Sequence, residues 1–252
     1  MKIAIVTGAS SGMGREFVYA LDREGKYEEI WVIARRLDRL ESLKTECKTA
    51  IRPIALDLGK AESFDAYRAL LETEKPDVSV LVNCAGFGKF GTYAEIPTEV
   101  SCEMIDLNCK ALVRSTEYTL PYMQAGAHIV ELDSLSSFQP VPYIGVYGAT
   151  KAFVLSYSRA LNVELKSRGI RCMAVCPGWV KTEFFDRAVL DDTITYYNKF
   201  FTPDQVIRRA IRDMKKGRDV SVCGASIRAQ VRLVKLLPHR LVMSVWCRQQ
   251  KK

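Results

Sequence analysis

Lys2-Ile3-Ala4-Ile5-Val6-Thr7-Gly8-Ala9-Ser10-Ser11-Gly12-Met13-Gly14 follows directly on Met1, and its reading decides the fold. Lys2–Thr7 is apolar and β-branched, the pattern of a short buried strand. Three glycines in seven residues then make a turn, and Phe17, Val18 and Leu21 recur beyond it at helical spacing. Strand, glycine turn and helix in this order form the start of a βαβ unit. The glycines permit a tight turn and a close backbone approach to a phosphate, and the helix N-terminus presents unpaired N–H groups. Gly8, Ser10, Ser11, Gly12, Met13 and Gly14 are therefore expected to line an anion cradle.

Outward from this unit, strand-like and helix-like stretches alternate. Strands are expected at residues 30–34, 51–56, 78–82, 128–132, 170–175 and 220–223. A long helix is expected at about 98–123, and another from Tyr147 to about Arg168 with Gly169 as its stop. This alternation implies an α/β protein with a parallel sheet and right-handed crossovers. A chain of 252 residues suits one such domain.

In a dinucleotide fold, the end of the second strand reaches the adenosine ribose. A carboxylate there would accept from a 2′-hydroxyl, whereas arginine suits a 2′-phosphate. Arg35 and Arg36 stand at that end, with Arg15 just after the glycine turn, which argues for NADP(H) over NAD(H). Asp57, followed by Leu58, either caps the next helix or contacts the adenine. Asn83-Cys84-Ala85-Gly86 closes the fourth strand with small residues beside which a cofactor can lie. Tyr147 and Lys151, four apart on a helix, share one face. A free phenol ionises near pH ~10, and a neighbouring positive charge lowers that value, so this tyrosine can serve as a general acid or base. Asn108 either satisfies backbone groups or holds a catalytic water. His128 reads as a strand-start residue.

Composition narrows the rest. The start of the chain shows no basic region, long apolar run or cleavage site, and no apolar run of membrane-spanning length occurs, so neither a signal peptide nor a span is expected. Eight cysteines without Cys-x-x-Cys pairs, and only two histidines, point to reduced thiols in a cytoplasmic protein and to no metal site. The net charge is +8, but residues 225–252 hold seven Lys/Arg and no acid, leaving +1 for the remainder. Nucleic-acid binding is not expected, because the excess charge is confined to the tail and no recognition motif accompanies it. This basic, amphipathic extension, following a domain of residues 1–224, either lies on an anionic membrane surface or packs on the body or a partner subunit. The aromatic stretch 183–201 is either a packed helix pair or an apolar lid.

Taken together, Thr7-Gly8-x-x-x-Gly12-x-Gly14, Asn83-Cys84-Ala85-Gly86, Asn108, Ser134, Tyr147-x-x-x-Lys151 and Pro177-Gly178-x-Val180-x-Thr182 resemble the short-chain dehydrogenase/reductase family in its single-domain branch. The resemblance covers residues 3–224. It implies a Rossmann-type doubly wound parallel sheet of about seven strands with helices on both faces. It implies hydride transfer between NADP(H) and a ketone or secondary alcohol, with Tyr147 as proton donor and Lys151 lowering its pKa and binding the nicotinamide ribose. Ser134 would polarise the carbonyl, Asn108 would hold a relay water, and Pro177, Gly178, Val180 and Thr182 would orient the carboxamide. A homodimer or homotetramer is implied likewise. The chain departs from the family at Cys84, Glu131 and Asp133, and Ser136 and Ser137 are fallback candidates for the serine role. The tail and the Phe87–Gly91 loop look similar to reductases of steroids and acyl chains. A 3-oxoacyl-thioester reductase and a non-catalytic NADP-binding protein at a membrane are the alternatives.

Overall fold

The computed structural model describes residues 1–189 and 193–252. Six parallel strands come first: β1 (Lys2–Thr7), β2 (Glu29–Ala34), β3 (Ala50–Ala55), β4 (Asp77–Asn83), β5 (His128–Leu132) and β6 (Arg171–Val175). β7 (Trp179–Val180) and β8 (Phe200–Phe201) pair apart as a small parallel ribbon, and β9 (Val220–Ser221) joins the main sheet. The seven-stranded order is β3-β2-β1-β4-β5-β6-β9. The chain winds outward from β1 to β3, then crosses back over β1 to continue through β4. That reversal opens a crevice beyond the carboxyl ends of β1 and β4, where open α/β sheets bind ligands.

Alternate strand residues face opposite sides, and both sides are covered, which explains the continuous apolar runs. Ala4, Val6, Ile30 and Val32 pack with Phe17, Val18 and Leu21 of α1 (Gly12–Glu24), Leu40 and Leu43 from α2 (Leu37–Glu41) and α3 (Leu43–Glu46), and Ile207 and Ala210 from a later helix. Ile3, Ile5, Trp31 and Ile33 pack on the other side with Phe64, Tyr67 and Leu71 of α4 (Ser63–Glu74).

The helix expected at 98–123 is broken into α5 (Thr98–Ile105), a π-helical turn (Asp106–Ala111), α6 (Leu112–Thr119) and a 3-10 turn (Leu120–Tyr122). Asn108 lies in the π turn, a form of helix that recurs at functional sites. α7 (Gly145–Glu164) carries Tyr147 and Lys151, and Gly169 ends its 3-10 extension at φ 69°, as the sequence indicates. The stretch 183–201 contains α8 (Phe184–Ala188) and β8; its residues 190–192 lie outside the described residues. α9 (Pro203–Lys215) leads to β9, shorter than the expected 220–223.

The tail folds as α10 (Ala225–Val234) and α11 (His239–Gln249), and it lies against the body. Ile227, Val234 and Val242 are buried. Trp246 Nε1 donates to Pro142 O at 3.0 Å. Gln250, 1% exposed, accepts from the backbone N–H groups of Thr195 and Tyr196 at 2.8 and 3.0 Å. No helix among the described residues is long and apolar enough to cross a membrane.

Candidate active site

The crevice opens into a single cavity of about 900 Å³ that runs from the glycine turn to the C-terminal helices. Gly8 makes the turn at φ +67°, a left-handed conformation natural to glycine. A Cβ on Gly8 would stand 2.7 Å from the Cys84 backbone, and one on Gly14 would collide with the Gly8 carbonyl. Only glycines allow β1, the loop after β4 and the start of α1 to close together into the cradle.

Most residues expected at the nucleotide line this cavity. They are Gly8, Ser10, Ser11, Gly12, Met13 and Gly14 from the turn, and Arg35 and Arg36 beyond β2. Asp57 and Leu58 follow from beyond β3, Ala85 and Gly86 from beyond β4, and Pro177, Gly178, Val180 and Thr182 from around β7. Asp57 Oδ1 also accepts from Gly59 N at 3.1 Å, a local turn. Arg36 donates to Ser10 Oγ at 3.1 Å and to Glu183 Oε2 at 3.0 Å, and Arg39 reaches Glu183 Oε1 at 2.5 Å. Arg35, by contrast, lines the cavity without sharing in the Arg36–Glu183–Arg39 ion pairs.

Three expected residues do not face the cavity. Arg15 turns outward to Glu46 (2.6 Å), Ser42 (2.9 Å) and the Arg39 carbonyl (2.9 Å). Asn83 points into the interior, donating to Thr116 at 2.9 Å and Glu131 at 3.3 Å and accepting from Ser115 at 2.8 Å. Cys84 takes its place in the lining. Asn108 is 1% exposed and donates to Phe87 O at 2.8 Å and Thr150 Oγ1 at 3.1 Å, while its Oδ1 accepts from Phe87 N at 3.0 Å. Both amide hydrogens are engaged, so the side chain ties the Phe87 loop to α7 and has no donor left for a water.

Ser134, Tyr147 and Lys151 come together on the cavity wall. Ser134 Oγ caps the turn after β5, accepting from Ser136 N at 3.2 Å. Ser137 Oγ donates to the Ser134 carbonyl at 2.6 Å and stands off the wall; Ser136 lines it. Lys151 Nζ donates to Leu132 O at 2.7 Å and lies 5.7 Å from the Tyr147 ring centroid. Phe90 and Phe184 hold that ring, with centroids at 5.9 and 5.6 Å.

The electrostatics differ from the expected lysine-lowered phenol. Burial pushes the Tyr147 phenol up; the Ser134 hydroxyl draws it down and the Asp133 charge pushes it up again. Burial lowers the Lys151 ammonium, opposed first by Asp133 and more weakly by Glu131. Burial pushes the Asp133 and Glu131 carboxyls up, each to about 7. Among the described residues no cluster of His, Cys, Asp and Glu is placed to hold a metal.

Sequence reasoning reached the far wall only in part, through the apolar-lid alternative for the stretch 183–201. Phe90, Trp179 and Phe184 join Leu233, Leu241, Val245 and Trp246 of the tail there. The helical spacing of the tail residues was visible; that their stripe faces the cavity was not.

The profile described as short chain dehydrogenase matches residues 2–192. An uncharacterised oxidoreductase of Staphylococcus epidermidis is 31% identical over 183 residues, 72% of this chain and 79% of that protein. Glycine betaine reductase of Emericella nidulans is 31% identical over 231 residues, 88% of this chain but 18% of that much longer protein. Among solved structures, a short-chain dehydrogenase from Sphingobium yanoikuyae in complex with NADPH superposes with a TM-score of 0.82 at 27% identity, covering 97% of this chain and 96% of that one. With its crevice, its Ser134–Tyr147–Lys151 grouping and these matches, the chain belongs to the short-chain dehydrogenase family of NAD(P)-binding oxidoreductases.

Proposed function

We propose that the protein reduces a bulky apolar ketone to its secondary alcohol, with NADPH preferred over NADH. The observation that carries this reading is the cavity's division. Its glycine-turn end is polar and arginine-flanked, its other end is walled by aromatic and aliphatic side chains, and Tyr147 and Ser134 stand between.

The residues present fit a dinucleotide. The glycine cradle admits backbone close to a phosphate, the thirteen-residue α1 directs its N-terminal N–H groups at it, and Arg35 and Arg36 suit a 2′-phosphate. When bound, the cofactor supplies the hydride. Tyr147 holds the proton for the carbonyl oxygen, Ser134 orients that oxygen by a hydrogen bond, and Lys151 places its ammonium 5.7 Å from the Tyr147 ring centroid. Phe90, Phe184 and the tail exclude water from the apolar end.

NADPH oxidation followed by absorbance against steroid ketones, acyl-thioester ketones and small diketones tests the reading. Turnover is expected with the bulky apolar ketones; tight NADPH binding without turnover on any of them would support the non-catalytic alternative. Turnover restricted to thioesters would favour the acyl-thioester reductase.

The reading extends to a cytoplasmic homodimer or homotetramer that touches anionic lipid through its tail. Leu236 is 83% exposed between α10 and α11, Leu233, Leu241 and Val245 are about half exposed at the cavity wall, and Arg232 and Arg240 flank them. Deleting the tail would remove cavity wall, so a point change is the cleaner test. Leu236→Asp should lower cosedimentation with phosphatidylglycerol vesicles several-fold while turnover of a soluble ketone is unchanged. Equal sedimentation of both proteins, or a shift of Leu236→Asp to a smaller assembly, would instead make this face a packing surface.

A further inference from the structure

Two segments wall the apolar end of the cavity. α10 and α11 supply Leu233, Leu241, Val245 and Trp246, and residues 194–199, which belong to no helix or strand, supply Tyr196 and Asn198. Backbone outside a ladder needs other partners for its polar groups. Gln250, directly after α11, provides them. Its Oε1 accepts from Thr195 N at 2.8 Å and from Tyr196 N at 3.0 Å, and its Nε2 donates to Tyr196 O at 3.3 Å. Thr195 Oγ1 donates to the Gln250 carbonyl at 3.3 Å. The two N–H groups fix which way the amide points, because only its oxygen can accept them. At 1% exposure this amide is costly to leave unpaired. Gln250 itself is not part of the cavity lining.

The clasp is anchored on both sides. The Gln250 N–H donates to the carbonyls of Trp246 and Cys247, both at 3.0 Å, and one turn earlier Trp246 Nε1 donates to Pro142 O at 3.0 Å, in the loop before α7. Asn198 Nδ2 adds a longer contact of 3.4 Å to Gln230 Oε1 of α10. On the inner side, Ile194 is 3% exposed and packs in the cluster that contains Phe90, Ile144 and Tyr147. Tyr197 meets the Trp179 ring edge-on at 4.9 Å. We propose that Gln250 is a positioning residue that sets the size preference for the substrate: by clasping residues 194–199 to α11 it holds the two segments of the apolar wall in register, so that a bulky apolar ketone meets a preformed surface. The proposal rests on the reductase reading of the same site. A small diketone fits beside Ser134 and Tyr147 and leaves most of this wall untouched. Contacts made equally in the ground and transition states lower KM and leave kcat alone.

Gln250→Ala removes the three side-chain bonds and leaves α11, which ends at Gln249, its full length. The ratio of kcat/KM for a steroid ketone over that for a small diketone should fall roughly tenfold, through a higher KM for the steroid at nearly constant kcat. The dissociation constant of anilinonaphthalene sulfonate, an apolar dye titrated into NADPH-saturated protein, should rise by a similar factor without requiring turnover. Amide hydrogen exchange at Thr195 and Tyr196 should quicken. Gln250→Met keeps the length of the side chain without its polar atoms and gives the same reading should the alanine variant fold poorly. An unchanged ratio and an unchanged dye constant, even with faster exchange or a lower melting temperature, would overturn the proposal and leave Gln250 a packing residue. An equal fall in kcat for both ketones would overturn it too. An inactive wild type would refute the reductase reading alone, because the dye constants still decide the role of Gln250.

Discussion

Replacing Tyr147 with phenylalanine is expected to lower ketone turnover by roughly 10²–10⁴-fold, the usual contribution of a positioned general acid. The ring should keep its place, because Phe90 and Phe184 hold it through edge and tilted contacts at 5.9 and 5.6 Å that need no hydroxyl. Lys151 should also stay, since its ammonium is held by the Leu132 carbonyl and not by the phenol. NADPH affinity and melting temperature are then expected to change little, separating loss of the proton from loss of the site. Retained turnover would remove Tyr147 from the mechanism and leave Ser136, on the cavity wall, as a further hydroxyl to examine.

Replacing Arg35 with aspartate is expected to invert or abolish the preference for NADPH. Hydrogen bonds to a charged group contribute about 1.5–3 kcal/mol, or roughly 10–100-fold in affinity, and the new carboxylate adds repulsion against a phosphate. The same carboxylate can accept from a ribose hydroxyl, so NADH should bind better. Arg35 is the more informative choice because Arg36 is already engaged by Ser10 and Glu183, and its loss would also disturb the loop carrying Glu183. The comparison is the ratio of kcat/KM for the two cofactors; an unchanged ratio would refute the phosphate assignment.

The fold was legible because its signals are local. Continuous apolar strands, a glycine turn at the first crossover and helical periodicity between strands each follow from a few adjacent residues. The cavity lining was legible where its residues sit at strand ends, whose positions a parallel sheet fixes. What the sequence did not display depended on distant partners. Arg15 follows the glycine turn in sequence, yet on α1 it meets Glu46, 31 residues away, through Nη2 at 2.6 Å. Asn83 and Cys84 are neighbours, but the pleat sends them to opposite sides, and Ser115, Thr116 and Glu131 claim the asparagine. The π turn around Asn108 and the apolar wall built by α10 and α11 rest on tertiary contacts that no pattern along the chain displays.

Glu183 gives the arginine-flanked end of the cavity a placeholder anion. Its carboxylate bridges Arg36 and Arg39 at 3.0 and 2.5 Å, which keeps two like-charged guanidiniums close together in advance of any ligand. These ion pairs are more than 40% exposed, and pairs of that kind contribute at most about 1 kcal/mol each. A phosphate arriving there exchanges one anion for another and need not assemble the cationic pair itself. The exchanged carboxylate stands directly before α8, whose first residue, Phe184, rests on the Tyr147 ring. Displacing the Glu183 carboxylate from these arginines would therefore be expected to reach the packing around the Tyr147 ring.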